Sequence, residues 1–504
     1  MNKPLRRVSV FCLILIAALM LRSNWVQVVK ADEYANHKKN NRAAYEKYSH
    51  PRGDFLVEGK PITGSEKTDN KLYEYQRTYQ NGAMYVPVTG YLSPYVGSNF
   101  LESINDDILS GEDSRLFVRK VLDTVTNKGT RGGNVALTLN SKAQEAAYEG
   151  LKDKTGAAVA LDPDTGKVLA MVSTPSYDPN SLATNDREAA ADAYDKLTFD
   201  KDIENDEADP KKPMDNRAIR ATYAPGSTFK LVTAAAALSA GGYKPEAAPE
   251  IPIDKDGNLF YPGSTKVLND ANPECDKATL QRALELSCNT VFAGIGQQIG
   301  PDKLKAQADA FGFDNFGKGT DQSTALYIPS RVDSSVFPAG LDGGQTMRSS
   351  IGQDSVTATP MQMAMVVSGI ANNGKVMKPY VVDELRAQNL SVIEKTQPEM
   401  LSQAVSPEVA AQLRDMMQGV VENGSGKNAK IDGVEVGGKT GTAQRGVNNS
   451  ENPYAWFVSY AQVDGKKVAV AVIVEDSDAE RREIGGGSLA APIAKAVMEA
   501  VVKK

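Results

Sequence analysis

Histidine is nearly missing from this 504-residue chain: there are two, His37 and His50, and none follows. A Ser-His-Asp triad needs an imidazole beside its nucleophile, and an H-E-x-x-H zinc site needs two on one helix face. Neither can be assembled from residues 51–504, so proton transfer there falls to Lys, Tyr, Asp, Glu or Cys. No metal and no organic cofactor is expected. Surplus positive charge is also lacking. The net charge of -6 argues against a nucleic-acid partner, which requires a basic face. Cysteine is sparse, and repeats and low-complexity tracts do not stand out. Cys12 lies inside an apolar run instead of after one, which is the wrong place for lipidation. Cys275 and Cys288 bracket residues 279–286, whose apolar spacing predicts a helix. The rise along such a helix puts the two roughly 15 Å apart, beyond disulfide reach. Free, partly buried thiols are expected, with a bridge only if the flanks fold back.

What is present begins with Lys3, Arg6 and Arg7, followed by a run from Val8 to Leu21 that is apolar except for Ser9. With Trp25, Val26, Val28 and Val29 in the far interface, the run reaches the roughly 20 residues that a bilayer needs. An uncleaved signal anchor is expected, with cleavage after Ala31 as the alternative. Either way the rest of the chain is exported and the basic end stays inside. The length suits two or three domains, and 41% hydrophobic with 24% charged residues is a globular composition. We divide the chain into a short cytoplasmic end with the anchor (1–31), an N-terminal pedestal or interaction domain (32–150) and a catalytic domain (151–504).

The pedestal region is turn-rich. It contains Arg52-Gly53-Asp54, the tyrosines Tyr73, Tyr75, Tyr79, Tyr85, Tyr91 and Tyr95, and a strand-like piece at 84–88. The tyrosines suit strand and interface packing better than a binding box. Strands are predicted at 133–138 and across 157–173, the latter broken by an Asp162 to Gly166 turn. Helices are predicted at 141–151, 227–238 and 489–502. Residues 186–212 are dense in charge and read as a solvated surface loop. Strands early and late with helices between give an α+β pattern.

Gly433-x-x-x-x-Gly438-Lys439-Thr440 fits a phosphate-loop pattern, but the same letters spell the K-T-G strand of penicillin-recognising serine enzymes. A phosphate loop needs a buried strand before it and a helix opening on its Lys-Thr. Here turns precede the motif and a polar loop follows, so an edge strand is favoured and no nucleotide is expected. Lys154-Thr155-Gly156 is a decoy that lies before the other motifs. Ala224-Pro225-Gly226-Ser227-Thr228-Phe229-Lys230 opens an apolar helix. Pro and Gly shape the turn, and the i, i+3 spacing puts Lys230 on the face of Ser227. A serine becomes nucleophilic once a base takes its proton, and a lysine with a depressed pKa can do so. Ser287-Cys288-Asn289 follows a predicted helix and offers a hydroxyl and an amide to one wall of a pocket. Taken singly, each motif also fits a cap or a polar loop.

In this order, Ser227 with Lys230, Ser287 with Asn289, and Lys439 to Thr442 resemble the active site of the penicillin-binding and serine β-lactamase superfamily. The resemblance extends to Arg52-Gly53, Leu161-Asp162-Pro163-x-Thr165-Gly166, Asn216-Arg217-Ala218, Gly352-Gln353, Thr359-Pro360-x-Gln362-Met363-Ala364 and Ala490-Ala491-Pro492-Ile493. Over nearly its full length the chain resembles a class B penicillin-binding protein, a monofunctional peptidoglycan D,D-transpeptidase. That implies an α+β serine β-lactamase/transpeptidase-like domain, an antiparallel sheet flanked by helices, behind a β-rich pedestal and a membrane anchor. It implies that Ser227 is acylated with Lys230 as general base, and that Ser287 passes a proton toward the leaving group while Asn289 holds the substrate amide. Lys439 would keep the site positive, Thr440 and Thr442 would bind the substrate carboxylate, and Gly441 would let the substrate backbone approach. The Ser227 and Thr442 N–H groups would form an oxyanion hole.

The implied partners are peptidoglycan stem peptides, penicillin and other β-lactams, the membrane, and a membrane-embedded glycan polymerase, because the pedestal is too short to hold a polymerase itself. A D,D-carboxypeptidase or a β-lactam-binding sensor module are the alternatives. Tyr454 departs from the family pattern, where a small polar residue or His is usual.

Overall fold

The computed structural model describes residues 3–30, 34, 45, 47–116, 131–198, 212–270, 272–314, 334–446 and 450–503. The proposed cleavage point, His37 and residues 199–211 of the acid-rich stretch 186–212 lie outside them. The part of that stretch that is described is a helix, Arg187–Thr198, and not a loop.

The first element is the helix Lys3–Val28, 26 residues with none buried. At 1.5 Å per residue it exceeds the roughly 30 Å of a bilayer's hydrocarbon core. Among the described residues it is the one helix long and apolar enough to cross a membrane.

The N-terminal region is built on a five-stranded sheet in the order Val392–Lys395, Val382–Arg386, Asn134–Leu137, Phe55–Val57, Lys60–Pro61. Two of these strands come from residues 382–395, so the sheet crosses the boundary expected at 150. Beneath it Glu102, fully buried, accepts from Arg52 Nε at 2.8 Å, Arg77 Nε at 2.6 Å and the Tyr79 hydroxyl at 3.1 Å. Arg52 also reaches Asp106 at 2.7 Å. Gly53 is required beside this cluster, since a Cβ there would stand 1.6 Å from the Gly133 carbonyl oxygen. Tyr45, Tyr48, Tyr73 and Tyr95 pack edge to face. The strand expected at 84–88 is instead part of the helix Gly82–Thr89. Asn81 enters it in the left-handed conformation, and all but Ala83 of its residues are buried, so no alternation between wet and dry faces was there to read.

The C-terminal region is built on a second five-stranded sheet, wholly antiparallel, in the order Glu435–Ala443, Tyr454–Val463, Lys466–Asp476, Thr155–Leu161, Val168–Thr174. The strand pair predicted at 157–173 is present, turning through Asp162 to Gly166, where Gly166 N donates to the Asp162 carbonyl at 2.8 Å. Both faces are dry. Val468, Val470, Val472 and Val474 point into one apolar cluster with the helices Ser141–Leu151 and Ala491–Val502. Ala469, Ala471 and Ile473 point into the other, with Pro360–Ala371 and the helical lobe. The alanines let Pro360–Ala371 lie close to the sheet, and every residue of that helix is buried. Thr359 caps its N-terminus by accepting from Gln362 N at 3.1 Å, and Pro360 occupies the first turn, where no N–H is needed. Sheet and helical lobe meet along Glu435–Ala443, the sheet's edge strand, and the reactive motifs lie in that seam.

Candidate active site

The Ser227 turn is a single 3-10 turn, Gly226–Phe229, that runs straight into the helix Lys230–Ala240. Several groups hold it. Gly226, at φ +52, donates to the Gly352 carbonyl at 2.9 Å, and the turn at Gly352 (φ +73) packs so closely that a Cβ there would lie 2.1 Å from Gly226 O. Trp456 Nε1 donates to the Ala224 carbonyl at 3.0 Å. Phe229 is fully buried, stacked on Phe337 and edge-on to Phe313. Ser227 itself is half-buried at the seam. Its N–H precedes the turn's first internal bond, from Thr228 N to Pro225 O at 3.3 Å, so the turn does not consume it.

Lys230 is fully buried one turn on. Its Nζ donates to the Ser287 carbonyl at 2.6 Å, Asn289 Oδ1 at 2.9 Å and Ser287 Oγ at 3.3 Å, and it lies 5.7 Å from the Phe292 ring centre. Burial pushes its pKa down to about 7, with the Asp270 carboxylate pulling the other way. Lys439 enters from the edge strand, also fully buried, and donates to Ser287 Oγ at 2.8 Å and the Thr440 carbonyl at 3.0 Å. Burial, and then the charge of Lys230, hold it well below the ordinary lysine range. One serine hydroxyl thus sits between two buried amines, and two ammonium groups so close disfavour each other.

Ser287-Cys288-Asn289 links two helices. Ser287, at φ +63, ends Leu280–Leu286 in the left-handed conformation that commonly closes a helix, and Asn289 begins Asn289–Ile299. Cys288 is bridged to Cys275, with Cα atoms 5.6 Å apart, which corrects the expectation of free thiols. The helix at Leu280–Leu286 is present, but Cys275 lies on a 3-10 turn, Pro273–Lys277, and extended Ala278 and left-handed Ser287 bring the two ends together.

Lys439 to Thr442 lie mid-strand in Glu435–Ala443, paired opposite Val458 to Ala455, and no helix opens on Lys439, so phosphate-loop geometry is absent here. The Thr440 carbonyl turns away from the paired strand toward Lys439. Backbone groups two residues apart face the same way, which turns the Thr442 N–H into the seam beside Ser227. Thr440 Oγ1 lies 2.6 Å from Ser425 Oγ, and Thr442 is exposed at the seam's mouth. Gly441 differs from expectation in what fills its space: a Cβ would meet Thr228 Cγ2 and Trp456 Cβ at 3.0 Å and Pro225 O at 3.1 Å, so the protein's own Ser227 turn is the close neighbour. All eight sequence-predicted residues, Ser227, Lys230, Ser287, Asn289 and Lys439 to Thr442, therefore border one seam between sheet and helical lobe.

The penicillin binding protein transpeptidase domain family matches residues 156–499, and the penicillin binding protein A dimerisation domain family matches residues 52–135. The chain belongs to the penicillin-binding protein transpeptidase family. It is 41% identical to the peptidoglycan D,D-transpeptidase PbpA of Mycolicibacterium smegmatis, with 100% of both chains covered. It is 40% identical to PbpA of Mycobacterium tuberculosis over 100% of this chain and 99% of that one. Among solved structures, penicillin-binding protein A from M. tuberculosis as a ceftriaxone acyl-enzyme complex is similar with a TM-score of 0.81 at 38% identity, covering 91% of this chain and 100% of that one.

In this penicillin-binding family member several residues that shape the seam escaped sequence reasoning. Asp270 carries no motif, and Ser425 lies in a Gly-Ser-Gly turn. Gly226 and Gly352 are legible as turn formers, but not as partners across 126 residues of chain, the difference between their numbers. Tyr454, the departure from the family pattern, is half-buried between the Tyr223 ring, edge-on at 5.1 Å, and the Arg445 guanidinium, 4.8 Å above its own ring.

Proposed function

We propose that this chain cross-links peptidoglycan as a serine D,D-transpeptidase, with the acyl group carried on Ser227. The observation that supports this best is the convergence of two buried amines, Lys230 and Lys439, on Ser287 beside the Ser227 turn. Neutral Lys230 takes the Ser227 proton as Oγ attacks the carbonyl of the penultimate D-Ala of a stem peptide. The Ser227 and Thr442 N–H groups receive the developing oxyanion. The tetrahedral intermediate collapses, the C–N bond breaks, and the leaving D-Ala amine gains a proton relayed through Ser287. An amine of a neighbouring strand then attacks the ester, giving up a proton to Lys230, and Ser227 recovers its own. Asn289 holds the substrate amide. The substrate's terminal carboxylate docks on Lys439, Thr440 and Thr442, and its charge draws Lys439 back toward the ammonium form. A β-lactam follows the first half of this course, its ring amide standing for the D-Ala-D-Ala bond.

The helix Lys3–Val28 serves as a single-pass anchor, with the catalytic domain on the extracytoplasmic side. The Cys275–Cys288 bridge fits that oxidising location. The region from 32 to about 150 is a pedestal that offers surface to a membrane-embedded glycan polymerase supplying nascent strands. The purified chain, given donor strands and an acceptor amine, is expected to release D-Ala and form cross-linked dimers in equal amounts. Release of D-Ala with no dimer would favour the carboxypeptidase alternative, and release of neither, despite penicillin binding, the sensor module.

A further inference from the structure

The middle motif of the site is fastened from outside by Asp270, which directly follows the short strand Val267–Asn269 of a hairpin with Asn258–Phe260. One carboxylate oxygen accepts from Asn289 N at 2.8 Å, and the other from Thr290 N at 2.9 Å and Thr290 Oγ1 at 2.7 Å. These amides open the helix Asn289–Ile299, whose N-cap residue, Cys288, contributes no side-chain cap because its sulfur is spent on Cys275. The first N–H groups of a helix lack internal partners and carry partial positive charge, so a carboxylate is favoured there on both counts. The disulfide ties the neighbouring residue to the same outer segment. Asn289, so fixed, presents Oδ1 to Lys230 Nζ at 2.9 Å. A continuous line of contacts therefore runs from a half-buried carboxylate to the buried amine.

We propose that Asp270 is a positioning residue for acyl transfer: it holds Asn289 against Lys230 and supplies the negative charge that offsets the lysine's burial. This rests on the reading of Ser227 and Lys230 given above. Among the described residues, the charged groups facing Lys230 are Lys439, from the edge strand across Ser287, and Asp270, from the hairpin side. Its other neighbours, Ser287, Asn289 and Phe292, carry no charge. Burial favours the neutral amine, and Asp270 is the one opposing influence among them. Removing its charge therefore lets Lys230 stay neutral to lower pH. Removing its oxygens loosens Asn289.

The test is the acylation rate of the full chain by a fluorescent penicillin, followed across the neutral pH range. Asp270→Asn keeps one acceptor oxygen and loses the charge. The maximal rate is expected to fall by roughly tenfold, the cost of one charge-assisted hydrogen bond. The acid limb should move to lower pH. Asp270→Glu keeps the charge and shifts it, so the rate should fall with the acid limb in place. An acid limb unmoved in Asp270→Asn, or identical profiles for the two variants, would overturn the proposal. If Asp270→Asn does not fold, Asp270→Glu decides alone: a slowed rate with an unmoved limb supports the assignment, and a parental rate contradicts it. A parent protein that penicillin never labels would instead sink the Ser227 reading on which this one stands.

Discussion

At the scale of single residues, the site depends on keeping an amine uncharged in a place that few groups stabilise. Among the described residues Lys230 has three oxygen acceptors and no carboxylate in contact, and burial brings its pKa to about 7. The lysine is a base only when neutral, so acylation should rise as pH climbs through that value and fall below it. Lys230→Ala removes both the base and its hydrogen bonds, and acylation should slow by roughly 100-fold to 10,000-fold. Stopped-flow penicillin labelling measures both effects, and a Lys230→Ala protein that acylates at the parental rate would place the base elsewhere. Much of this was legible. Ser227 and Lys230 share a helix face by spacing alone, and a lysine in an apolar helix must be either masked or functional. Asp270 was not legible, because a capping carboxylate reaches its helix through space from 19 positions away.

At the scale of elements, the seam relies on turns that pack backbone against backbone. Gly352 and Gly433 have nearly the same φ, +73 and +75, but a Cβ at Gly352 would meet Gly226 O at 2.1 Å while one at Gly433 would meet nothing within 4 Å. Both alanine variants should lose stability from backbone strain, about 1–3 kcal/mol. Gly352→Ala alone should also displace the Ser227 turn and cut the acylation rate at least tenfold. Thermal unfolding and labelling of the two variants together separate strain from displacement, and equal acylation would refute the interlock. In the catalytic sheet the strand pair across 157–173 was readable because its apolar runs flank strong turn residues, whereas the central strand Lys466–Asp476 was not predicted. The helix Gly82–Thr89 was misread because burial on nearly every side erases the periodicity that separates helix from strand. The disulfide was missed for a related reason: helix rise describes the middle of a segment, whereas the bridge is made by its folded-back ends.

At the scale of the molecule, the two regions are less separable than linear order suggests. Val382–Arg386 pairs with Asn134–Leu137, and the helix Ser141–Leu151 shares an apolar cluster with Ala491–Val502. A chain cut at residue 151 therefore exposes a sheet edge and one face of the last helix, and it should aggregate or lose penicillin labelling. Soluble, fully labelled protein from that truncation would show that the catalytic domain stands alone. The helix Lys3–Val28, with no buried residue, is separable by the same logic, and its removal should leave labelling unchanged. What unites these scales is the claim that one hydroxyl in the seam takes the acyl group. The most direct test is mass spectrometry of the intact chain after exposure to penicillin G, with peptide mapping of the adduct. The account predicts a single penicilloyl group on Ser227 that is lost in a folded Ser227→Ala variant, whereas an adduct on any other residue, or one that survives that substitution, would contradict it.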